Sequence, residues 1–116
     1  MASLITREDF EKVVVLTLEE LPEDIAARLD NLVIVVEEQD PHDGDLLGLY
    51  EGISLPDRGT GYAGVLPDRI SIFMDTHLAL GLDHTSLSKQ IRRTVLHEIA
   101  HHLGIDDRRL HELGWD

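Results

Sequence analysis

The sequence predicts a small α+β domain, and three features carry that expectation. Amphipathic helical spacing opens and closes the chain, a β-branched run lies between, and short glycine- and proline-marked segments separate the strand candidates. With 116 residues, one domain spanning 1–116 is expected. Its sheet should be mixed, with about three to four strands packed against the long helix near the C-terminus.

The elements follow in order. Thr6 and Asp9 stand at capping-box spacing. Phe10, Val13, Val14, Thr17, Leu18 and Leu21 then recur at helical intervals, giving a helix over about 7–20. Pro22 suits the first turn of a short second helix, with Ile25, Ala26 and Leu29 facing inward. The run 32–37 (LVIVVE) reads as a buried strand. A turn at 40–45 precedes a second strand candidate at 46–55, in which Gly48 and Gly52 mark weak points or bulges. The segment 56–68 reads as a loop. Alternation at 70–74 gives a third strand, and 76–84 is a connection. Thr85 or Ser86 caps a long helix through Leu87, Ile91, Val95, Ile99 and Leu103, which stops at Gly104. A last short helix covers about 106–113.

Composition narrows the function. The net charge of −13 repels phosphate backbones, so no nucleic-acid partner is expected. The longest apolar run, 32–36, is far short of the roughly 18 residues of a membrane span, so no membrane role is expected. No basic, apolar leader opens the chain, and there are no cysteines, which together suit a cytoplasmic location. Without cysteine, His, Asp and Glu remain as the strong metal ligands. Four of the seven histidines fall between His97 and His111.

That cluster contains His97-Glu98-Ile99-Ala100-His101. Residues four apart on a helix share a face, so both imidazoles reach one metal ion. Glu98 projects about 100° further round, placed to take a proton from a water on that metal without itself coordinating. This arrangement is the physical content of H-E-x-x-H. Ile91, Val95, Ile99 and Leu103 form an apolar stripe, with Gln90, Thr94, His97 and His101 on the other side, along a cleft edge. Gly104 allows the chain to fold back, and Asp107 follows, so the stretch reads H-E-x-x-H-x-x-G-x-x-D. A metzincin carries histidine at that last position; here a carboxylate would complete a three-ligand zinc site open to a fourth, catalytic position. Asp107 is alternatively the cap of the last helix, and Asp106 and His111 compete with it as third ligand. His102 points away from the metal face, exposed to solvent or as a hydrogen-bonding partner. Tyr62 suits an oxyanion donor or a cover for the core edge. His42, His77 and His84 read as surface residues.

Residues 91–115 (IRRTVLHEIAHHLGIDDRRLHELGW), with Gly61-Tyr62 and Leu66-Pro67-Asp68-Arg69-Ile70 upstream, resemble the minimal zincin-like metallopeptidase family of bacteria. The resemblance implies a zincin-like α+β fold and one zinc per chain on the active-site helix. It implies His97, His101 and Asp107 as ligands, Glu98 as base, and a peptide or small amide as substrate. The chain departs from true metzincins in lacking a methionine turn, since Met1 and Met74 both precede the motif. The 70–74 strand would pair with an extended peptide if it formed a sheet edge. Two other readings compete. A ribosomal-RNA maturation endoribonuclease family shares the ligand spacing but needs no glutamate after the first histidine. A non-catalytic zinc-binding module would leave no open coordination position.

Overall fold

The computed structural model describes residues 5–29, 31–52 and 67–115. Helix α1 (Arg7–Glu19) begins with the expected capping box: the Asp9 amide donates to Thr6 Oγ1 at 3.0 Å, and Asp9 answers the Thr6 amide. Phe10, Val14 and Thr17 form its buried stripe. The Arg7 guanidinium donates to the Val36 carbonyl, tying the start of α1 to the sheet. In the four-residue α2 (Glu23–Ala26), Pro22 is the cap rather than a first-turn residue; its φ of −56° suits entry to a helix. Ile25 anchors the turn in the core.

The sheet has the order β1-β3-β2, from β1 (Leu32–Glu37), β2 (Gly48–Glu51) and β3 (Asp68–Phe73). Strands β1 and β3 run parallel with Ile34 opposite Ile70, while β2 is antiparallel to β3 with Gly48 opposite Ile72. The third strand is therefore central, not an edge. Ile70, Ser71, Ile72 and Phe73 are all buried, as befits a strand paired on both sides and covered on both faces. It also ends one residue early. Met74 opens α3 (Met74–Leu78), a helix inside the segment read as strand end and connection. The second strand is shorter than 46–55, and the part of that prediction beyond residue 52 lies outside the described residues.

Helix α4 (His84–Leu103) starts earlier than expected. Asp83, not Thr85 or Ser86, is the cap, accepting from the Ser86 amide at 2.7 Å. A carboxylate there also complements the positive end of the helix dipole. Leu87, Ile91, Val95, Leu96, Ile99 and Leu103 are buried against α1 and the sheet. Gly104 (φ 72°) ends the helix, and the Ile105 amide bonds back to the Ala100 carbonyl at 2.8 Å, a Schellman closure. The chain turns directly into α5 (Asp107–Leu113), whose Leu110 and the following Trp115 return to the core. No helix among the described residues is long and apolar enough to cross a membrane.

His77 is not a surface residue: its exposure is 0%. Because α3 follows β3 without a loop, the ring folds back so that Nδ1 lies 2.7 Å from the Phe73 carbonyl. Nε2 meets Thr94 Oγ1 at 2.9 Å, and the ring edge packs on Phe10. The carbonyl can only accept, so Nδ1 carries a proton. Burial pushes the pKa below the usual histidine range, against a smaller opposing effect of the Phe73 bond. The ring is accordingly neutral, and its Nε2 faces the Thr94 hydroxyl, which also lies 3.0 Å from the Gln90 carbonyl. An interior histidine with both nitrogens satisfied thus fastens α3 to α4 one turn before His97.

Candidate metal centre

His97, Glu98 and His101 come together on the C-terminal half of α4. Their ligand atoms all lie within 4.8 Å of one another. The two imidazoles meet edge to face with centroids 4.5 Å apart, and His101 Nδ1 lies 3.1 Å from Glu98 Oε1. His97 is half-buried, His101 exposed, and Glu98 only 7% exposed. Two imidazole nitrogens on one rigid helix, open on the His101 side, suit zinc as part of a ligand set, with the Glu98 carboxylate beside them.

Glu98 is buried because β2 passes close to it. A Cβ on Gly48 would sit 2.8 Å from Thr94 Cγ2 and 3.1 Å from Glu98 Cγ. Gly48 is thus neither a bulge nor a weak point: the missing side chain lets β2 approach the helix. Gly48→Val is expected to cost about 1–3 kcal/mol of stability, measured by urea unfolding, because the methyl groups must displace Thr94 and Glu98. Unchanged stability would mean that the strand yields freely. Beside the cluster, Leu47 and Gly48 on one wall and Arg93, Thr94, His97 and Glu98 on the other enclose a cleft of about 250 Å³.

The remaining candidates fall elsewhere. Asp106, not Asp107, caps α5, its Oδ1 accepting from the Arg109 amide at 2.8 Å. Asp107 is the exposed first residue of α5 and does not join the three-residue cluster. His111 is exposed on the same helix, also outside the cluster. His42 and His84 are exposed, as expected. Tyr62, with Gly61 and Leu66, lies outside the described residues.

His102 is a hydrogen-bonding partner, as one of its two expected roles had it, but it is wholly interior at 0% exposure. Its Nδ1–H donates to Asp68 Oδ2 at 2.7 Å, and the Tyr50 hydroxyl donates to the same oxygen at 2.6 Å. The last turn of α4 is thereby fixed to the start of β3 and to β2, directly behind His101. Sequence reasoning missed Tyr50 and Asp68. The available signal was the paired His101-His102, whose neighbouring positions on a helix cannot both face the metal.

A solved structure of a conserved hypothetical protein from T. thermophilus superposes with a TM-score of 0.63 at 25% identity, covering 96% of this chain and all of that one. No curated protein matches the chain. The sequence model of the zincin-like metallopeptidase family matches residues 29–115, a span that takes in the sheet, the His97–Glu98–His101 cluster and the fold-back through Gly104. The chain belongs to the zincin-like metallopeptidase family.

Proposed function

We propose that the chain is a zinc-dependent hydrolase of peptide or amide bonds, with His97, His101 and Asp107 holding the metal and Glu98 as the base. The observation that carries this reading is the meeting of two imidazoles with a buried carboxylate beside an open cleft. Asp107 is favoured as the third ligand because Asp106 is engaged as a cap while Asp107 follows the same glycine turn.

A zinc ion held by these residues would supply an acidified water, with a pKa of about 7, and a polarised substrate carbonyl. Glu98 takes the proton from the attacking water as its oxygen bonds to the carbonyl carbon. The carboxylic acid so formed returns that proton to the leaving nitrogen as the C–N bond breaks. Packing against Gly48 limits the positions open to the Glu98 side chain, so its oxygens are held near the cleft rather than in solvent. The substrate strand pairs with β2, which among the described residues is the outer strand of the sheet and borders the cleft, rather than with the central 70–74 segment.

The test is a mixed peptide library incubated with zinc-loaded protein and read by mass spectrometry. Cleavage that chelation stops and added zinc restores is the expected result. A chain that binds zinc at one per molecule yet cleaves no peptide would be a zinc-binding module instead.

A further inference from the structure

We infer that Arg93 makes this cleft selective for a substrate that carries a carboxylate one to two residues from the cleaved bond; the inference rests on the peptidase reading above. Arg93 stands one helical turn before His97 and lines the same cleft as His97 and Glu98. It also borders a second, adjoining cleft of about 150 Å³, together with Lys89, Arg92 and Trp115. That concentration of positive charge is unusual in a chain with 23 acidic and 10 basic residues.

Acidic partners are plentiful, yet Arg93 has none among the described residues. Arg7, Arg69, Arg92, Arg108 and Arg109 each pair with a glutamate. Arg93 is exposed, and its side chain makes no ion pair or hydrogen bond among the described residues. Its helix neighbours at three and four residues' distance are Lys89, Gln90, Leu96 and His97, so none can neutralise it. The carboxylate nearest along its helix is Glu98, which the proposed mechanism keeps for proton transfer. Among the described residues the guanidinium is therefore left with its planar donor fork open to the cleft, the geometry that binds a carboxylate through two parallel hydrogen bonds.

Distance assigns the substrate position. Side chains one turn apart on a helix start about 5–6 Å from each other. An extended substrate advances about 3.3–3.6 Å per residue. A carboxylate meeting Arg93 thus lies one to two residues from the bond held at His97 and Glu98. It could be a free C-terminus or the side chain of an aspartate or glutamate; both present the same group.

The experiment uses the zinc-loaded full chain and matched peptides that differ only in Glu against Gln near the cleaved bond, or in a free against an amidated C-terminus. Cleavage is measured with wild type, Arg93→Gln and Arg93→Lys. Binding of the same peptides to Glu98→Gln and Glu98→Gln/Arg93→Gln is measured by calorimetry, which needs no turnover. The acidic member of a pair is expected to bind about tenfold more tightly when Arg93 is present. The preference disappears in Arg93→Gln and is partly kept in Arg93→Lys. Whichever pair shows it identifies the source of the carboxylate. Equal binding of acidic and neutral peptides, or a preference that survives Arg93→Gln, overturns the inference while leaving the peptidase reading intact. If the zinc-loaded chain neither binds nor cleaves any peptide, the peptidase reading falls and the inference falls with it.

Discussion

Glu98→Gln is expected to lower peptide hydrolysis by about 10²–10⁴-fold while zinc stoichiometry stays at that of wild type. Glutamine keeps the shape of glutamate, so the packing against Gly48 remains filled. Its carbonyl oxygen can still accept from His101 Nδ1, which lies 3.1 Å from the carboxylate. What is lost is basicity: an amide cannot take a proton from water or return it to the leaving amine. Turnover measured beside metal content separates these roles. Undiminished turnover in Glu98→Gln would place the base elsewhere and remove Glu98 from the mechanism. Glu98→Ala should be as inactive but less stable, since a largely buried side chain is removed.

His97→Ala and His101→Ala are each expected to abolish stoichiometric zinc, and Asp107→Ala to weaken it measurably after dialysis. Two nitrogens from one helix turn supply most of the preorganisation, so neither can be spared. Asp106→Ala should behave differently. It should keep the metal and lose about 1 kcal/mol of stability, because its carboxylate caps α5. Zinc at a hundredfold excess over its Kd should stabilise wild type by about 2.7 kcal/mol, and that gain should vanish in both histidine variants. Metal analysis and thermal melts with and without chelator read all of these outcomes. A His111→Ala variant that loses zinc while Asp107→Ala keeps it would transfer the third ligand to His111.

The metal cluster is legible in the sequence because it is local. His97, Glu98 and His101 lie within five consecutive positions, and helix geometry alone decides that they meet. The Thr6–Asp9 capping box, the stripe from Leu87 to Leu103 and the stop at Gly104 are legible for the same reason: each depends on neighbours within one or two turns. Competition between local signals explains the near misses. Asp83, Thr85 and Ser86 all suit a helix cap, and the start fell to the carboxylate. Asp106 and Asp107 competed likewise, and the cap fell to the first of them.

Long-range pairing decided the rest. Strand periodicity marks residues 70–73 as a strand but says nothing of which strands flank it, so the place of β3 between β1 and β2 emerges only when the sheet assembles. That order brings Gly48 against Glu98 and so buries the proposed base. It also draws Tyr50, Asp68 and His102 together across 52 positions of sequence, and lets His77 reach Thr94 from a helix that the pattern did not reveal. Helix spacing thus specified which groups can share a metal. Sheet order specified which wall faces them and which histidines are interior, because those contacts depend on chain segments whose separation along the sequence carries no periodic signal.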